Sequence, residues 1–148
     1  MRIDGERHFE APPRDVFRAL TDPALLEDAF SAIEQVDASG DEWEVRVRPP
    51  LPGAFSLKFS VRLEEQREPE HGRLRAWGKS LGGRLSIDSS FDLEAAPNGT
   101  RMSWKADVDA AGILSGLGNQ RLGPLAKQQA ERALDRVAAR VAPRPRRR

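Results

Sequence analysis

Residues 85–108 read LSIDSSFDLEAAPNGTRMSWKADV, and this stretch decides the fold. Apolar residues occupy most odd positions of 85–93 and every even position of 102–108, with polar residues between them. A period of two is typical of strands that bury one face and leave the other in water. Between the two segments, Pro97-Asn98-Gly99 is a tight-turn signal. The stretch therefore predicts a β-hairpin with one apolar face.

The strand pattern continues towards the N-terminus. Four more segments read as strands: 2–10, 43–47, 55–63 and 73–79. In the last of these, Leu74 and Trp77 fall on opposite faces unless a bulge intervenes near Gly78. Turn signals at 68–72 and 82–83 favour antiparallel pairing of sequential strands. We expect a twisted antiparallel sheet of about six or seven strands.

Helical spacing replaces the strand pattern in two regions. A proline start at 11–13 precedes one short helix, and Asp22 is placed to cap a second. Apolar residues of 114–141 form one stripe, which predicts a long amphipathic helix. Pro124 should kink or restart this helix, and Pro143 should end it. The fold class is then α+β, with the long helix over the apolar face of the sheet and a cavity between the two.

Three segments carry a resemblance to known families. FEAPPRDVFRALTDPALL at 9–26 resembles the N-terminal signature of the helix-grip (SRPBCC) superfamily, which includes START-related lipid carriers, polyketide cyclases and birch-pollen-type allergens. VDAAGILSGLGNQRLGPLAK at 108–127 and the GKSLGG turn at 78–83 resemble the CoxG subunit of carbon monoxide dehydrogenase. The resemblance implies one helix-grip domain over 1–142, with two short helices after the first strand and the sheet wrapped around the C-terminal helix. It also implies an accessory role beside a molybdenum hydroxylase of the carbon monoxide dehydrogenase kind, in maturation, membrane attachment or quinone handling.

Charge and composition narrow the function further. The 148 residues hold 24 Lys and Arg against 23 Asp and Glu, but four of the arginines lie in the final PRPRRR. Residues 1–142 therefore carry 20 basic against 23 acidic groups, a charge of −3, while the tail at 143–148, which we expect to be disordered, carries +4. An acidic body without a recognition motif argues against nucleic acid as a partner. With no cysteine, no apolar leader and no apolar run of about 18 residues, we expect a cytoplasmic protein.

The inventory of catalytic groups is poor. The chain has no Cys and no Tyr, and its two histidines, His8 and His71, are predicted to be solvated and to form no metal pair. The carboxylates of the later strands fall on the outward phase: Asp88, Asp92, Asp107 and Asp109. Outward carboxylates are poorly placed for acid and base chemistry on a bound substrate. We therefore expect no catalytic residue, no metal and no cofactor.

The apolar interior favours a non-enzymatic protein that binds a hydrophobic small molecule, such as a quinone, a lipid or a polyketide-like aromatic, between the sheet and the C-terminal helix. Arg7, Ser89 and Gln129 share the inward phase and could orient a polar end of the ligand. The full predicted ligand-binding set is Arg7, Phe55, Leu57, Phe59, Leu85, Ile87, Ser89, Phe91, Trp104, Leu114, Leu117, Leu125 and Gln129.

Alternatives stay open at this point. A polyketide cyclase-like or dehydratase-like enzyme could use the same cavity through Arg7 or Ser89, and a protein-interaction module could use the exposed sheet face instead. Each polar group also has a structural explanation, since Ser89 can bond locally, Gln129 can sit at the stripe's edge and Arg7 can reach solvent. Four tail arginines could each add about 1 kcal/mol of attraction to an anionic bilayer at the inner face of the membrane. They are Arg144, Arg146, Arg147 and Arg148.

Overall fold

The computed structural model describes residues 1–29, 33–48, 56–80, 83–112 and 118–142. The elements follow in the order β1 (Arg2–Phe9), α1 (Pro13–Leu20), α2 (Pro23–Ala29), β2 (Ile33–Ser39), β3 (Glu42–Val47), β4 (Leu57–Arg67), β5 (His71–Ser80), β6 (Gly83–Ala96), β7 (Gly99–Gly112) and α3 (Gly118–Val141). The strands form a seven-stranded sheet in the order β1-β7-β6-β5-β4-β3-β2, and every neighbouring pair is antiparallel. The predicted α+β class is confirmed.

The hairpin of β6 and β7 forms where the sequence predicts it. Asn98 adopts a φ of 63°, the left-handed conformation that a tight turn requires and that Asn tolerates better than most residues. Both strands run to 14 residues, beyond the alternating core of the pattern. The length of this hairpin makes it the central scaffold on which β1 and β5 pair.

Two details of the sheet differ from the sequence prediction. The pattern did not indicate β2, whose residues are mostly exposed and alternate weakly, and which pairs with β3 at the sheet edge. The bulge lies in β4, between Leu63 and Glu65, and not near Gly78, where the pairing is regular. Leu74 and Trp77 therefore do lie on opposite faces of β5.

Buried side chains divide the apolar face of the sheet, here called the inner face, between two clusters. One cluster joins β1, β6 and β7 to the helices and includes Phe9, Phe91 and Trp104. The other joins β3 and β4 and includes Trp43 and Phe59. The sheet therefore has a core at each side rather than one core at its centre.

The helices cover the first of these clusters. Asp22 caps α2 as predicted, since its Oδ1 accepts a hydrogen bond of 3.0 Å from the Ala24 amide. Leu134 and Val137 of α3 are buried in the cluster, and α3 packs mainly against β1, α1 and α2. Pro124 lies inside α3. No helix in the described ranges combines the length and the apolar character needed to cross a bilayer.

Candidate functional site

A trough lies on the inner face between the two buried clusters. Its floor consists of five inward positions of β5 and β6 that are half-buried while their neighbours on either side are buried: Leu74, Ala76, Leu85, Ile87 and Ser89. Leu74 packs against both clusters. The floor is therefore an apolar surface that the described part of the chain covers only in part, as a concave ligand site requires.

Aromatic rings beside the trough lie flat on the sheet because glycines stand opposite them. Trp104 pairs with Gly5 and Phe91 pairs with Gly72, and a Cβ on either glycine would lie 2.8 Å or less from a ring atom. A third ring, that of Phe59, covers Gly78 in the same way, at 2.8 Å. A glycine in a strand commonly marks such a close approach. Because these rings cover backbone, they occupy less of the space above the floor.

The polar residues predicted for the site already make contacts within the protein. The Ser89 hydroxyl donates a hydrogen bond of 3.2 Å to the Leu74 carbonyl, which leaves its oxygen lone pairs as acceptors. The Arg7 guanidinium donates to Asp135 of α3 at 2.6 Å and lies 5.8 Å from the centre of the Phe9 ring. Arg7 therefore ties β1 to α3, and its contact with a ligand stays a prediction.

One buried donor was not recognised in the sequence. The indole nitrogen Nε1 of Trp104 is buried and has no hydrogen-bond partner among the groups that the structure describes. A buried unpaired N–H costs about 1–3 kcal/mol, so it is normally satisfied by something. The sequence signal for this ring's position was Gly5, which shares the inward phase with Ile3 and Arg7.

The remaining predicted site residues fall into two groups. Leu125 and Gln129 of α3 are half-buried and belong to neither cluster. Outside the described residues lie Phe55, Leu114, Leu117, the side chain of Leu57 and the four tail arginines. The structure thus brings together the floor residues and the three rings from β4, β6 and β7.

The outer face carries charged side chains in pairs. Arg73 donates to Asp88 at 2.9 and 2.6 Å, and this hydrogen bonding is the main reason why the pKa of Asp88 is held below its ordinary value. The prediction of a solvated His71 is wrong, because its ring lies 2.8 Å from Asp92 and 2.9 Å from Glu65, with 15% of the side chain exposed. The bulge in β4 was needed to place Glu65 there, and the sequence did not predict it.

A depression of about 400 Å³ opens on this outer face over β1, β6 and β7. Its side chains are mostly charged or hydroxylated: Arg2, Asp4, Glu6, Ser90, Asp92, Ser103 and Lys105. This lining does not suit a hydrophobic ligand, because an apolar molecule would remove these groups from water without offering them partners. The trough on the inner face remains the better site for such a ligand.

Comparison with known proteins agrees with this architecture. A conserved protein from Geobacillus kaustophilus superposes with a TM-score of 0.87 at 16% identity, over 96% of this chain and 95% of that one. Ara h 8.0201 superposes with a TM-score of 0.68 at 15% identity, over 95% and 97%. The di-domain ARO/CYC BexL from the BE-7585A biosynthetic pathway superposes with a TM-score of 0.67 at 13% identity, over 98% of this chain and 51% of BexL. No curated protein matches the sequence.

At such low identities the superpositions show the fold alone, and that fold is the helix-grip fold expected from residues 9–26. The family is shown by a match in sequence. A family model of CoxG, the G-type subunit of carbon monoxide dehydrogenase, matches residues 5–142, which include every described helix and nearly all of the sheet. The chain therefore belongs to the carbon monoxide dehydrogenase CoxG family.

Proposed function

We propose that this protein binds a hydrophobic small molecule in the trough without transforming it, and that it serves as an accessory protein of a molybdenum hydroxylase of the carbon monoxide dehydrogenase type. One observation carries the proposal: an apolar floor that is half-buried lies between two clusters that are fully buried. Covering that floor with a ligand would remove further apolar surface from water, which stabilises a complex by about 25 cal/mol per Å².

The chemistry of the trough favours a flat, mostly apolar ligand with a few oxygen atoms. Phe59 and Phe91 lie at its two sides, and aromatic faces pack well against a ring system such as that of a quinone. Ser89 and Gln129 offer hydrogen-bonding groups at the edge of an otherwise apolar surface. A quinone is therefore our first choice, and a lipid or a polyketide-like aromatic remains compatible with the same surface.

The ligand proposal is tested by filling the trough. Ala76→Phe places a phenyl ring on the half-buried floor, and Ser103→Phe places the same ring on the exposed outer face of β7 as a control. The probe is decylubiquinone, and its binding is followed by quenching of the fluorescence of the three tryptophans. We expect saturable binding in the parent protein, a loss of at least about tenfold in affinity for Ala76→Phe, and no change for Ser103→Phe.

The opposite results would contradict the proposal. If Ala76→Phe bound decylubiquinone as well as the parent protein does, the trough would not be the site. If neither decylubiquinone nor the organic extract of the purified protein gave a complex in native mass spectrometry, the carrier function would be wrong. Both variants are first compared with the parent by circular dichroism, so that unfolding is not mistaken for lost binding.

The accessory role rests on family membership. It predicts that the protein co-elutes with purified subunits of a carbon monoxide dehydrogenase-type hydroxylase in size-exclusion chromatography. A gene for such a subunit beside this one would support the same assignment. Separate elution at micromolar concentrations of both proteins would count against a stable complex.

The enzymatic alternative needs a titratable group at the trough. The five described floor residues include none, and Ser89 is the only one with a side-chain hydroxyl. A cyclase or dehydratase would therefore depend on Arg7 or Ser89. Turnover of a polyketide-like substrate that is abolished by Ser89→Ala would favour that alternative over simple binding.

We place the protein in the cytoplasm, with transient contact to the inner face of the membrane through Arg144, Arg146, Arg147 and Arg148. Four arginines give enough electrostatic attraction for reversible contact with anionic lipid but not for a stable anchor. Flotation with phosphatidylglycerol-containing liposomes tests this, with a chain lacking residues 143–148 as the control. Equal flotation of both chains would remove the tail from the account.

A further inference from the structure

The outer face carries a row of basic positions that stand directly opposite one another on four neighbouring strands. Arg46 of β3 pairs with Lys58 of β4, Lys58 pairs with Lys79 of β5, and Lys79 pairs with Arg84 of β6. We call these four positions the basic row. Like charges directly opposite each other on adjacent strands destabilise a sheet. A pattern that opposes folding is what a functional surface tends to leave in a sequence.

The positive charge of the row is only partly compensated. Lys58 lies 3.3 Å from a carboxylate oxygen of Glu44. Arg46 and Arg84 are exposed, and neither forms an ion pair with any residue in the part of the chain that the structure describes. The row thus presents cationic groups that are available to a partner.

An exposed tryptophan stands beside the basic row. Trp77 is 44% exposed, and among the described residues it is the only large hydrophobic side chain that is exposed. It pairs with Ser60 on one side and Ser86 on the other, so short side chains flank the indole and leave it uncovered. Tryptophan and arginine are the residue types that most often dominate the binding energy of protein interfaces. Here they adjoin on a surface that contributes nothing to the core.

We propose that the outer face around Trp77 and the basic row is a docking surface for a partner protein that presents carboxylates beside an apolar recess. The row that contains Trp77 ends on Glu44 at one side and on Asp109 at the other. A uniformly anionic bilayer or a phosphate backbone would repel these two carboxylates. A protein surface can place different groups against each row, so the mixed charges favour a protein. This surface and the trough lie on opposite faces of the sheet, and either proposal can fail without the other.

Photo-crosslinking of the full chain in its own cells tests the surface. In one form p-benzoylphenylalanine stands in place of Trp77, and in the control form it stands in place of Ser103, which is also exposed on the outer face. Adducts are identified by mass spectrometry. We expect one identified protein to cross-link from position 77 and not from position 103, through a peptide that carries Asp or Glu. Identical adducts from both positions, no protein adduct, or an adduct with lipid or nucleic acid would overturn the proposal.

The identified partner is then purified and titrated against the parent chain and its variants. Trp77→Ala and Arg84→Glu should each weaken the complex about tenfold or more, while Ser103→Ala should leave it unchanged. Changing the cross-linked carboxylate of the partner to lysine should restore binding to the Arg84→Glu variant, as direct pairing of charges requires. Unchanged affinity in both Trp77→Ala and Arg84→Glu, with unchanged melting temperatures, would refute the docking surface.

Discussion

Replacing Gly72 with alanine tests whether the paired rings and glycines of the inner face hold the sheet together. An added Cβ would lie 2.4 Å from Cζ and 2.6 Å from Cε1 of Phe91, whereas ordinary contact begins near 3.4 Å. The ring would therefore have to move by about 1 Å, the difference between these distances. It cannot move freely, because Phe91 is 4% exposed and its ring centre lies 5.8 Å from that of Phe17 in α1.

The expected loss follows from two opposing effects. Overpacking a dense core costs about 1–3 kcal/mol. Replacing a strand glycine by alanine otherwise gains about 0.5–1 kcal/mol, because alanine loses less backbone entropy on folding. The net loss in free energy of unfolding is then about 1–2 kcal/mol. For a domain of this size, that corresponds to a melting temperature lower by about 2–8 °C.

Urea denaturation followed by tryptophan fluorescence measures this loss, and two further variants isolate its cause. Phe91→Leu lacks the ring atoms that an added Cβ would meet, so Gly72→Ala should cost nothing further in the Phe91→Leu background. Gly123→Ala is the matched control, since its Cβ would meet only the flexible Met1 side chain, at 3.0 Å, and should stabilise α3 by up to about 1 kcal/mol. The reasoning is refuted if Gly72→Ala is as stable as the parent, or if its cost is the same with and without the Phe91 ring.

Two more outcomes are expected from the same urea assay. Thr100 is fully buried and donates a hydrogen bond of 2.6 Å to the Ala11 carbonyl, so Thr100→Val should cost about 1–3 kcal/mol, while the exposed Ser103→Ala should change stability by less than about 0.5 kcal/mol. Because Arg73 holds the pKa of Asp88 below its ordinary value of 3.8, the stability that this carboxylate adds is present above that pH and is lost as the pH falls through the folded-state pKa. Asp88→Asn should therefore be less stable than the parent at pH 7, with a smaller difference at pH 2.5, and equal differences at both pH values would contradict the ion pair.

The fold could be predicted from local patterns because each pattern has one physical cause. Alternation at 85–108 gave the central hairpin, and the proline start at 11–13 gave α1. The prediction failed at β2, where one side of an edge strand faces little of the core and the alternation fades. It also misplaced the bulge, because an extra residue in β4 changes the pairing with β5 and leaves no trace in the period of β5 itself.

The site was harder to predict because it depends on contacts between strands. The apolar phase identified Phe59, Phe91 and Trp104 as inward residues, but a period of two does not say whether a ring stands up from the sheet or lies on it. That orientation is set by the residue directly opposite, and the pairing register decides which residue this is. The exposure of Trp77 likewise required knowing that β5 has no bulge near Gly78.

The pairs of rings and glycines connect this register to both proposed surfaces. On β5, Ala76 points to the trough and Trp77 points to the outer face, so a slip of one residue would exchange the two surfaces. Such a slip would also place the Phe91 ring opposite His71 or Arg73, whose side chains occupy the space that a glycine leaves open. Because Phe91 can lie flat only over Gly72, the same contact that packs the first cluster excludes the slipped pairing. The cost of Gly72→Ala should therefore appear as lost ligand binding at the trough as well as lost stability.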